Sequence, residues 1–182
     1  MQEGIIFIAT SLALAYLSRA SLKMPGSHGF YRFFAWECML GIFVLNLRSW
    51  HTETGSAFQV ISAFLFLTSL LLVLVSVILL YQAGKADSTR YDAPMFEFEK
   101  TTHLITTGIY HYIRHPMYTS LISLCWGLFF KQPSIFGGTL AVTASCLLVV
   151  TAITEESENI SYFGHKYHEY MERTKRFIPF IL

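Results

Sequence analysis

The sequence predicts an all-α protein: a polytopic membrane bundle of about five transmembrane helices, closed at one end by a cytoplasmic loop and a C-terminal helix. Three observations carry that prediction. Only 14% of the 182 residues are charged and 53% are hydrophobic, with a mean hydropathy of +0.46, whereas a soluble domain carries about 25% charged residues. The apolar residues gather into stretches long enough for a bilayer core, which takes about 20 helical residues. The lysines and arginines fall almost entirely on one side of those stretches. This composition excludes a disordered chain, a nucleic-acid binder with a basic face and most soluble enzymes. A net charge of +1 suggests no polyanionic partner, and no nucleic acid.

Residues 4–17 form the first stretch and continue weakly to Leu22. Glu3 precedes them and no basic residue does, so the charged n-region of a signal peptide is missing and the stretch reads as a retained span. The Pro25-Gly26 break leads to a second stretch, 30–47. It contains Glu37, an ionisable residue expensive enough in a membrane to need a partner; Arg32, Arg19 or a helix end would provide for it. Residues 58–81 carry no charge and form the clearest span. Residues 121–153 are uncharged except at Lys131 and too long for one span. Lys131-Gln132-Pro133-Ser134 divides them, with Pro133 suited to the first turn of a fifth segment, so the fourth is short.

After Ile153 come Glu155, Glu156 and Glu158, carboxylates suited to the N-terminal turns of a cytoplasmic helix. That helix is expected to run on to Met171. Phe163, Tyr167, Tyr170 and Thr174 recur at i, i+4, i+7 and i+11 and share one stripe, which reads as packing on the loop. Cys38, Cys125 and Cys146 lie far apart in apolar runs, without metal-site or disulfide spacing. His111/His115 and His165/His168 have ligand-like spacing, but Pro116 interrupts any helix presenting the first pair, and no metal is expected.

Orientation follows from the basic residues. With the N-terminus outside, eleven of the 13 lysines and arginines lie inside: Arg19, Lys23, Arg32, Lys85, Arg90, Lys100, Arg114, Lys166, Arg173, Lys175 and Arg176. Arg48 and Lys131 stay outside. Loop 84–115 and the C-terminus are therefore expected in the cytoplasm. That side also carries the polar cluster of residues 101–118. Pro116 holds His115 in an extended backbone, and the broken backbone there leaves unpaired groups able to line a cavity.

Gly108-Ile109-Tyr110, Arg114-His115-Pro116-Met117-Tyr118, Glu155-Glu156 and the run 163–170 (Phe-Gly-His-Lys-Tyr-His-Glu-Tyr) together resemble the isoprenylcysteine carboxyl methyltransferase family. The wider group of integral membrane methyltransferases it belongs to includes phospholipid methyltransferases. The resemblance covers roughly the last 85 residues. It implies residues 1–83 as a three-span scaffold and 84–182 as a methyltransferase core. It also implies S-adenosylmethionine as donor, in a pocket closed by the loop and the C-terminal helix, and a lipophilic acceptor from the bilayer.

Carried over by position, the cofactor contacts are Thr102, His103, Leu104, Ile105, Tyr110, His115, Pro116, Met117, Tyr118 and Glu155. Chemistry at the reacting end falls to Arg114, Glu156 and Tyr118. Arg114 or His115 suits the donor's carboxylate. Glu156, Tyr118 or His111 suits an acceptor proton. Two positions depart from the family pattern. Ser120 stands where glycine is frequent, and Thr151 stands where prenylcysteine enzymes carry an arginine for the substrate carboxylate. The alternatives are an NADPH-dependent membrane reductase, for which the chain is short, and a non-catalytic scaffold or lipid carrier, which leaves the polar clustering unexplained.

Overall fold

The computed structural model describes residues 2–51, 56–83 and 101–181. Lys85, Arg90 and Lys100 of the orientation argument lie outside them, with the rest of 84–100. The described residues form seven α-helices: α1 Gln2–Leu17, α2 Arg19–Leu22, α3 His28–Leu45, α4 Ala57–Ala83, α5 Pro116–Lys131, α6 Ile135–Phe163 and α7 His165–Arg173. Short 3-10 turns occupy Leu47–His51 and Gly108–His111. There is no sheet among them, only isolated bridges such as Ile113 with Lys175.

The helix limits follow from local chemistry. Ser27 is extended and its hydroxyl accepts from the Phe30 N–H, capping α3. Pro116 occupies the first turn of α5, behind a non-helical His115. Ser134 caps α6 by accepting from the Gly137 N–H at 3.1 Å, so α6 starts two residues after Pro133 rather than on it.

The expected new helix at the carboxylates is absent. α6 runs unbroken for 29 residues through Glu155, Glu156 and Glu158, and stops at Gly164, whose φ of +61° favours glycine. The reason is lateral: Glu156 meets Arg114 and Arg176 and Glu158 meets His28, all from other segments, so these carboxylates need no helix N-terminus. At 1.5 Å per residue α6 is roughly 44 Å long and outreaches a hydrocarbon core of about 30 Å. Its last turns stand clear of the apolar bundle and carry the carboxylates.

The core lies between α3, α5 and α6, where Met39 and Ile42 pack against Cys125, Leu128, Ala141 and Ala144. The alanines of α6 let the backbones approach closely, as in membrane helix pairs. α1 flanks α3 and α4 flanks α5, each antiparallel to its neighbour. Gly127 makes the α4–α5 contact possible, since a Cβ there would stand 2.7 Å from the Phe66 ring. Polar side chains lock neighbouring helices: Ser62 of α4 donates to the Gly127 carbonyl of α5 at 2.8 Å, and Asn46 at the end of α3 to that of Leu128 at 2.6 Å. Glu37 meets the Ser11 hydroxyl at 2.8 Å, a serine from α1 rather than either arginine. Arg32 lies over the Trp36 ring instead.

α4 and α6 are long and apolar enough to cross a membrane, and α1 is a shorter apolar helix. The outer faces of α1 and α4 expose Ile5, Ile8, Leu12, Phe64, Leu67 and Leu71. With α3 and α5 between them, the architecture is an all-α membrane bundle.

Candidate active site

Helix direction brings four segments to one end of the bundle: the loop 101–115, the start of α5, the end of α6, and α7 with its tail. The tail 174–177 runs alongside 112–115 and pairs with it through the backbone. Arg114 N–H donates to the Lys175 carbonyl at 2.8 Å, His115 N–H to that of Arg176 at 3.1 Å, and Lys175 N–H to that of Tyr112 at 3.0 Å. Phe177 then buries itself among Ala35, Tyr118, Leu148 and Ala152. The Tyr170 hydroxyl donates to the Tyr110 carbonyl at 2.7 Å, fastening α7 over the loop.

Glu156 is the hub of this end. It is 4% exposed, and both its oxygens are occupied. Arg114 Nε donates to Oε1 at 2.8 Å and Arg176 NH2 to Oε2 at 2.7 Å, with His115 Nε2 3.3 Å from Oε1. Arg114 also donates to the carbonyls of Met171 and Thr174. Pairing with Glu156 raises the Arg176 pKa further. A single carboxylate thus ties together α6, the residue before α5, and the tail.

Beside the hub lies a recess with a free volume of about 90 Å³. Glu155 lines it, its side chain 30% exposed and 3.6 Å from His115 Nδ1. Its carboxylate is hydrogen-bonded to Tyr118. The Tyr118 ring stacks on His115 at 5.4 Å between centroids. On the far wall Phe163 stacks on Tyr167 at 6.4 Å, with Tyr170 beside it. Burial pushes the Tyr167 and Tyr170 hydroxyls far above the ordinary phenol range, so both are fixed as neutral donors.

Of the carried-over cofactor positions, Leu104, Ile105, Tyr110, His115, Pro116, Met117, Tyr118 and Glu155 line the recess, and so does Arg114. Thr102, His103 and Glu156 do not; His103 is exposed, Thr102 half-buried. The lining also includes Leu80, Thr101 and Asn159, outside the motifs, and Phe163, Tyr167 and Tyr170, which lie in the 163–170 run but are not among the carried-over contacts. Asn159 lies one helical turn beyond Glu155, and the aromatic stripe was visible as packing. Leu80 reaches the recess from the end of α4, where the sequence carries no sign of it.

Residues 57–166, more than half of the chain, match the family model described as phospholipid methyltransferase. No curated protein and no solved structure matches the chain.

Proposed function

The chain belongs to the phospholipid methyltransferase family, and from that membership we propose that it transfers a methyl group from S-adenosylmethionine to a lipophilic acceptor at the membrane face. The observation that carries the reading is the convergence of distant motif residues on one recess at the polar end of the bundle.

The residues present fit that donor. The recess combines aromatic faces, suited to an adenine and to a sulfonium, with one carboxylate open to it. S-adenosylmethionine, when bound, supplies an electrophilic methyl group on its sulfonium. Glu155 would accept from the ribose hydroxyls or the amino group, held in aim by Tyr118 and His115. Leu104 and Ile105 offer backbone groups to the adenine edge. Tyr110, Tyr118, Phe163, Tyr167 and Tyr170 exclude water and confine the reactants, which supplies much of the rate of an in-line transfer.

Arg114 and Glu156 act as positioning residues in this reading. A carboxylate shared by two guanidiniums is a poor base, since proton uptake would break both pairs. Any acceptor proton falls instead to solvent or to Tyr118, whose own hydroxyl proton would pass to the Glu155 carboxylate it is hydrogen-bonded to. The acceptor is not a prenylcysteine carboxylate: Thr151 is fully buried and its hydroxyl donates to the Leu147 carbonyl, so it offers that carboxylate nothing.

Eight of the ten described lysines and arginines lie at the recess end, Arg48 and Lys131 at the other. That bias supports a cytoplasmic recess and an external N-terminus. Equilibrium binding of S-adenosylhomocysteine and NADPH to the purified protein in detergent tests the donor. Saturable binding of the first is expected; binding of NADPH alone would identify a reductase, and binding of neither a carrier. A methyl-transfer assay offering a farnesylcysteine analogue beside phosphatidylethanolamine tests the acceptor, and efficient methylation of the former alone would refute it.

A further inference from the structure

An apolar groove of about 670 Å³ runs along the flank of the bundle between α3 and α4, with α5 at its back. Trp36 and Leu40 line one wall, Leu70 and Val73 the other. Apart from Ser69 its lining is apolar or aromatic, so it suits hydrocarbon rather than a polar ligand. Two side-chain rows connect it with the recess. On α5, Leu121, Leu124 and Leu128 line the groove, and Met117, one turn earlier on the same face, lines the recess. On α4, Leu70 and Val73 line the groove, and Leu80, two turns after Val73 on the same face, lines the recess.

The groove ends in an aromatic floor. Trp50 packs edge-on against Phe43 at 5.6 Å and stacks on Phe66 at 6.0 Å between centroids. The Lys131 ammonium sits 5.2 Å from the Trp50 ring centroid and donates to Gln59 at 2.7 Å, which holds the floor in place. The hollow on the opposite face, around Phe64 and Trp126, is walled by two helices only. Its Ile122 packs into the buried cluster around Phe177.

We propose that this groove is a length-selective site for one hydrocarbon chain of the methyl acceptor, running from Met117 to a stop at Phe43, Trp50 and Phe66. The proposal rests on the methyltransferase reading for its headgroup end and on the continuity of the two rows for its chain. From Met117 to Leu128 the helical rise gives roughly 16 Å, the reach of roughly 13 extended methylenes. Longer chains meet the aromatic floor and must fold back or leave the groove. Phe66 is then the specificity-determining residue. It closes the end and leans on Gly127, so its truncation opens space in line with the chain.

The test uses the full chain in lipid nanodiscs with phosphatidylethanolamine carrying a terminal diazirine on one acyl chain, followed by irradiation and peptide mapping. A 14-carbon probe is expected to label the segments around Phe43, Phe66 and Leu128 at least fivefold more than the outward-facing Ile5 and Ile8. A 22-carbon probe is expected to lose at least fivefold of that labelling and to regain it in Phe66→Ala. Leu124→Trp, which fills the groove midway, should cut labelling by the 14-carbon probe at least fivefold while S-adenosylhomocysteine affinity stays within twofold. Equal labelling of groove and outer face, labelling indifferent to chain length, or a dimer with an unlabelled groove would overturn the proposal. Loss of S-adenosylhomocysteine binding with groove labelling intact would count against the donor reading alone.

Discussion

Glu155 and Glu156 are neighbours in sequence with opposite surroundings. One helical step turns the first towards the recess and the second into a cage of Arg114, Arg176 and His115. On the proposed reading Glu155→Ala removes a donor contact, together with the pairing to Tyr118 and His115. A hydrogen bond to a charged group is worth about 1.5–3 kcal/mol, so S-adenosylhomocysteine affinity should fall about 10- to 150-fold by calorimetry, with a smaller drop in melting temperature than for Glu156→Gln. Glu156→Gln leaves two guanidiniums facing a neutral amide. Removing one partner of a buried pair costs about 3–5 kcal/mol, and the partial exposure of Arg176 sets the expectation at the low end. A clear drop in melting temperature together with lost binding is the expected result; an unchanged melting curve would contradict the hub assignment. The motif marked Glu155 for the cofactor and Glu156 for the reacting end, but not the cage around Glu156, because Arg176 follows 20 residues later and sequence spacing gives no sign that it returns to α6.

At the scale of elements, the apolar stretches were legible because a membrane span is a matter of length and composition. The border between α6 and α7 was not. Three carboxylates in four residues look like a helix start, yet the residue that ends α6 is Gly164, with its backbone in the left-handed region. Gly164→Val is expected to cost about 1–2 kcal/mol locally, the penalty of a side chain in that conformation. No side chain crowds the site, so the cost is one of backbone alone. It falls on the seating of Tyr167 and Tyr170. Weaker S-adenosylhomocysteine binding with an unaltered far-ultraviolet helical signal is the expected outcome. Full affinity would show that α7 tolerates the altered turn.

For the whole molecule, the decisive pattern is the gathering of charge at one end. A C-terminal tag should be reached by an impermeant reagent only after the membrane is permeabilised, and labelling in intact cells would invert the proposed orientation. Motif residues in the loop, in α5 and in α6 marked most of the recess because each lies near a chain break or a charge cluster. Leu80 and the α3–α4 groove escaped such reading. They belong to faces of apolar helices whose rotation depends on packing against Gly127 and Ser62, not on any local pattern.

The backbone pairing of residues 112–115 with 175–176 joins the recess walls by hydrogen bonds between two segments that belong to no helix, anchored by Ile113 and Phe177. Such a seam can fray while every membrane helix stays folded, because local opening costs less than global unfolding. Spent donor would then leave by the unzipping of the tail, and turnover would be paced by that opening rather than by bond-making. Amide exchange at Arg114, His115 and Lys175 should accordingly be much faster than in α6, and should slow markedly when S-adenosylhomocysteine is added. Equal protection of the seam and α6 without ligand would mean that the walls are not a separate opening unit.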